Sequence, residues 1–174
     1  TLLFFTYGLL IIGFLIFSSA SLGLLAREGA RFSSVALNQV LFGIVGGSIA
    51  LFLASLIHYR WWRQYAFYVF VFSLLLTLAV FIPGIGFSHG GATRWIALGS
   101  FTFQPAEILK IAFVIYIATW LSGMKNQITQ FFGGTMLFVG LLVIVGIPLL
   151  LQPDTDTYLI MVASAIAMFI TAGG

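Results

Sequence analysis

The feature that most constrains this chain is the length of its uncharged runs. The first charged residue is Arg27, and between Lys125 and Asp154 there is none. A helix that crosses a bilayer needs about 20 mostly apolar residues, and runs of that kind recur along the sequence. Only 6% of the 174 residues are charged and 61% are hydrophobic, too little charge to clothe a water-facing surface. The expectation is an all-α polytopic membrane helix bundle, with a single transmembrane domain over residues 1–174.

Six spans are expected, at residues 1–25, 39–57, 66–82, 105–121, 135–151 and 158–172. The last is short, because at roughly 1.5 Å per residue it barely crosses the hydrocarbon core. Gly46-Gly47 in the second span marks a place where a neighbouring helix could approach closely. Pro105 suits the first turn of the fourth, where its missing N–H has no intrahelical partner anyway. Residues 26–38 and 123–134 read as loops. Residues 58–65 read as a short basic and aromatic turn, with Trp61, Trp62 and Tyr65 at headgroup level beside Arg60 and Arg63. Residues 87–103 read as a polar loop, Gly-rich at its start, and residues 152–157 as a tight polar turn.

A net charge of +3, dispersed among apolar runs, gives no footprint for nucleic acid. The absence of cysteine excludes disulfides and thiolate chemistry. No cleavable signal peptide is read at the start, and a chain that opens on Thr1 and stops after an apolar run reads as part of a longer protein. Arg27, Arg31 and Arg94 fall on one side, with the acids Glu28, Asp154 and Asp156; Arg60, Arg63 and Lys125 fall on the other. Only Lys and Arg count toward orientation, so charge alone assigns none.

The chemistry-bearing residues are few. Glu107 and Lys110 stand at i, i+3 on one face of the fourth span. Charges at membrane depth cost several kcal/mol, so they pair or face a polar cavity. A structural ion pair and a wall of a head-group cavity are both open readings. Arg94 follows Gly90-Gly91-Ala92-Thr93 and precedes Trp95; its guanidinium can grip phosphate bidentately while the indole sits at the interface. Asp154 and Asp156 lie in the turn after Pro153, where they could bind a cation or act as acid and base, or simply keep the turn polar. His58 and His89 are isolated, and no spacing resembles a metal site.

Taken together, Gly90-Gly91-Ala92-Thr93-Arg94-Trp95-Ile96-Ala97-Leu98-Gly99, then Gln104-Pro105-Ala106-Glu107-Ile108-Leu109-Lys110, then Gln152-Pro153-Asp154, resemble the SEDS family of FtsW, RodA and SpoVE. The order, spacing and hydropathy frame all match, over the whole of residues 1–174. Gly90 replaces a usual Asn, Ala106 a usual Ser, and Asp156 adds a carboxylate to the third motif.

The resemblance implies about ten spans and a peptidoglycan glycosyltransferase that joins lipid II into glycan strands, in a bacterial cytoplasmic (inner) membrane. It implies a class B penicillin-binding protein and other division or elongation proteins as partners. No cofactor is expected; a divalent cation is an open alternative that the sequence does not indicate. It places the 89–103 loop and the Asp154 turn outside and residues 58–65 in the cytoplasm. Arg94, Trp95, Glu107, Lys110 and Asp154 are then the substrate-binding residues. The aspartate that activates the acceptor hydroxyl belongs, in the family, to a later loop beyond Gly174, so no catalytic base is assigned here and the segment alone is expected to be inactive. A lipid II transporter and a non-catalytic scaffold are the alternative functions; six spans without an internal repeat lean against transport. Division and elongation branches both remain open.

Overall fold

The computed structural model describes residues 2–28, 43–89, 92–98, 101–124, 128 and 131–174. It forms two compact units, Thr1–His58 and Tyr59–Gly174. The first holds α1 (Leu2–Glu28) and α2 (Gly46–Leu56). The expected loop at 26–38 lies outside the described residues from 29 onward. Among the described residues, a Cβ at Gly47 would meet nothing within 4 Å.

The second unit carries α3 (Tyr59–Ala79), a three-stranded antiparallel sheet, then α4 (Pro105–Gly123), α5 (Met136–Leu151) and α6 (Thr155–Thr171). One face of α3, Ala66, Phe70, Ser73 and Thr77, is buried, at the spacing of a helical stripe. It meets Leu109, Phe113 and Ile117 of α4, which are also buried. Phe70 lies 6.1 Å from Phe113 and stacks on Tyr116 at 4.8 Å with the rings nearly parallel. Phe138 of α5 stacks on Phe169 of α6 at 4.4 Å. Helices α5 and α6 approach closely at Gly146, where an added Cβ would stand 2.9 Å from the ring of Tyr158. Small residues at such crossings let backbones approach where lipid supplies no hydrophobic drive.

The outward faces are apolar as well. Phe72, Ile111, Leu151 and Ile160 are more than half exposed, an arrangement suited to lipid. The helices at Tyr59–Ala79, Pro105–Gly123 and Phe132–Leu151 are long and apolar enough to cross a membrane. The all-α membrane bundle is therefore borne out.

Helical structure also begins ahead of residue 135, at Phe131, and three further boundaries differ from expectation. Residues 59–65 are the opening turns of α3, not a separate turn. No Gly or Pro interrupts them, and Trp61 and Tyr65, one turn apart, pair with ring centroids 4.8 Å apart. The helix α6 begins at Thr155, so the polar turn shrinks to residues 152–154. The expected polar loop is mostly sheet: β1 (Gly86–His89), β2 (Ala92–Leu98) and β3 (Phe101–Phe103). Aromatic and β-branched residues such as Trp95, Ile96, Phe101 and Thr102 favour a pleated surface.

Candidate functional site

The sheet positions the arginine. Phe87 pairs with Trp95 and Ser88 with Thr93, so the register skips Arg94. Arg94 is thus the extra residue of a β-bulge, a device that re-aims a side chain beside functional sites. The Ser88 and Thr93 hydroxyls meet at 2.6 Å and pin the two strands together there. Ala92 and Ile96, flanking the bulge, are buried and fix β2 against the bundle.

The guanidinium Nη1 of Arg94 lies 3.6 Å from Oδ1 of Asp154. The other carboxylate oxygen, Oδ2, accepts a hydrogen bond of 2.7 Å from Nε2 of Gln104. Asp154 stands at the N-cap of α6, yet its side chain caps nothing; its backbone N–H donates to the Leu149 carbonyl at 2.9 Å. Gln104 likewise stands at the N-cap of α4 with no side-chain cap, held extended (φ −100°, ψ 113°) ahead of Pro105. Both side chains are free to turn toward each other.

The exposures within the pair are unequal. The Asp154 side chain is 4% exposed and that of Arg94 is 33%. The Nε atom of Arg94 is buried and has no hydrogen-bond partner among the described residues. A guanidinium carries five N–H donors, so this one retains donor capacity.

Gln152 turns the other way from Asp154 across Pro153. Its Nε2 donates to the Thr77 carbonyl in the last turn of α3, at 2.7 Å. The tripeptide Gln152-Pro153-Asp154 thereby ties α3, β2 and the start of α4 to one point.

Glu107 and Lys110 form a separate ion pair at 2.9 Å, with side chains 60% and 27% exposed. They lie off the buried face of α4, which is made by Pro105, Ala106, Leu109, Ala112 and Phe113. Among the described residues no hydrogen bond or ion pair links them to Arg94 and Asp154. Trp95 is half-buried opposite Phe87. Asp156 is exposed in the first turn of α6. Of the residues picked from sequence, the structure joins Arg94 to Asp154 and Glu107 to Lys110.

Gln104, Gln152 and Thr77 were not singled out from sequence as site residues. Their signal was present. Each glutamine precedes a proline at the end of an apolar helix, where an amide at membrane depth needs a partner.

A family model described as "Cell cycle protein", covering FtsW, RodA and SpoVE, matches residues 1–174. The chain is 40% identical over 135 residues to a protein of Geobacter metallireducens named probable peptidoglycan glycosyltransferase FtsW, covering 78% of this chain and 36% of that protein. It aligns with the crystal structure of the rod shape determining protein RodA of Thermus thermophilus at a TM-score of 0.73 and 25% identity, covering 92% of this chain and 53% of that one. A chain from a peptidoglycan synthase complex, whose structure concerns the coordination of polymerisation and crosslinking, aligns at a TM-score of 0.72 and 24% identity. It is covered to 47%, against 92% of this chain, and at that identity carries the fold alone. The chain spans a little over a third of the length of the first curated relatives it matches, 36%.

Proposed function

Since this chain belongs to the FtsW/RodA/SpoVE family of cell cycle proteins and is a multi-pass membrane protein, we propose that the full-length protein is a peptidoglycan glycosyltransferase. It polymerises lipid II, a disaccharide-peptide on a polyprenyl pyrophosphate, in the bacterial inner membrane. A class B penicillin-binding protein is its crosslinking partner. The observation that carries this reading is Arg94: a cation at a bulge, one-third exposed and held by an ion pair longer than a hydrogen bond. A lipid pyrophosphate is a dianionic head on a long apolar tail, and a guanidinium at the edge of a membrane bundle suits both parts.

Transfer requires an acceptor hydroxyl to attack the sugar carbon bonded to pyrophosphate. The lipid pyrophosphate leaves with the bonding electrons, and the hydroxyl proton passes to a base. Arg94 stabilises the charge gathering on the leaving group. Glu107 and Lys110, at the mouth of α4, contact the sugar or the second phosphate, and Trp95 lies against the headgroup region. No residue of this chain is given the role of base.

The test is a glycan-strand ladder on a gel, from the full-length protein with its penicillin-binding partner and labelled lipid II, beside Glu107→Ala. A ladder that disappears in the variant supports the polymerase and places Glu107 in the working site. A ladder that persists keeps the enzyme and leaves Glu107 a structural role. No ladder from a folded native complex defeats the reading in favour of transport or scaffolding.

A further inference from the structure

We infer that Gln104 and Asp154 are positioning residues, which hold the Arg94 guanidinium in place at the bulge and do not themselves touch substrate. This rests on the reading of Arg94 as the phosphate receptor. Three observations carry it. Access is the first: the Asp154 side chain is 4% exposed and the Arg94 side chain 33%, so an incoming ligand meets the guanidinium. Both carboxylate oxygens are already engaged, Oδ2 by Gln104 at 2.7 Å and Oδ1 by Arg94 at 3.6 Å. A buried carboxylate is tolerated only when paired and hydrogen-bonded, and these two groups meet that need.

The third observation is the looseness of the ion pair. At 3.6 Å the contact is longer than a hydrogen bond, and Nε is buried, so the donors left for a ligand are those of the Nη groups. The guanidinium is therefore held in direction without being saturated. It can place paired N–H donors on a phosphate and keep Asp154 as a counter-charge behind it. The carboxylate also repels a phosphate that approaches its own side of the pair, which restricts the anion to the free edge of Arg94. Gln104 completes the arrangement. Its amide fixes the carboxylate from the N-cap of α4, so the arginine on β2 is referred to the same helix that carries Glu107 and Lys110.

The experiment has two arms on the full-length protein in detergent. In the first, phenylglyoxal modifies arginine, and peptide mass spectrometry follows Arg94 against the exposed Arg63 in the same sample. Asp154→Asn and Gln104→Ala should each raise the Arg94 rate, the former on the order of tenfold, without changing that of Arg63. Equal Arg94 rates in native and variant proteins overturn the inference. Gln104→Ala keeps the ion pair, so it serves if Asp154→Asn fails to fold.

In the second arm, turnover of labelled lipid II is compared in a double-mutant cycle. Asp154→Asn should cost on the order of tenfold in the native background and less than about twofold in Arg94→Ala. Equal costs in both backgrounds mean that Asp154 acts on the substrate directly, and the inference fails. Absence of turnover by the native complex defeats the polymerase reading instead, and the modification rates still decide whether Gln104 and Asp154 hold Arg94.

Discussion

Gln152 donates from Nε2 to the carbonyl of Thr77 over 2.7 Å, joining the turn after α5 to the last turn of α3. Thr77 is fully buried and Gln152 is 1% exposed. The last carbonyls of a helix have no partner within it, and in an apolar interior water does not supply one. Replacing Gln152 by Leu keeps much of the volume and leaves that carbonyl bare. The expected loss of stability is about 1–3 kcal/mol, read from unfolding of the full-length protein in detergent. An unchanged midpoint would show that the carbonyl finds another donor.

Gly86 opens β1 beneath the end of α3. A Cβ there would collide with the Val80 carbonyl and stand 2.9 Å from the Thr93 methyl, next to the bulge. Gly86→Ala should destabilise by about 1–3 kcal/mol and increase the reactivity of Arg94 toward phenylglyoxal. Gly140→Ala is the control, because a Cβ at that position meets nothing within 4 Å. If both variants unfold alike, the close packing at Gly86 is not the cause.

At the α5–α6 crossing, Gly146→Val should cost about 1–3 kcal/mol, since the Tyr158 ring lies 2.9 Å from an added Cβ. The ring is the cause, so Tyr158→Ala should relieve much of that loss. The two substitutions will then be non-additive in thermal unfolding. Strict additivity would place the strain elsewhere.

Glu107→Gln addresses a pair 2.9 Å apart whose Glu107 is exposed and whose Lys110 is partly exposed. Exposed ion pairs contribute little, so stability should change by less than about 1 kcal/mol. Loss of the glycan ladder at unchanged thermal stability would then locate the effect in substrate handling. A large fall in stability would make Glu107 a structural residue.

The sequence by itself determined the solvent of this protein and the set of its helices. Hydropathy is additive along the chain, so an uncharged run such as 135–151 declares a membrane helix wherever its neighbours lie. The i, i+3 pair of Glu107 and Lys110 was legible for the same reason, because helix geometry fixes that spacing locally. The start of α3 at Tyr59 was not, since basic and aromatic residues suit both an interfacial turn and a first helical turn.

Only the tertiary structure decided the polar arrangement. The bulge at Arg94 is a property of two strands in register, and no single strand encodes it. Asp154 reaches Gln104 across 50 positions and Gln152 reaches Thr77 across 75. Each is an amide or carboxylate whose need for a partner can be read from its place in an apolar chain. Which partner it takes depends on which helices pack together, and that is settled by long-range burial.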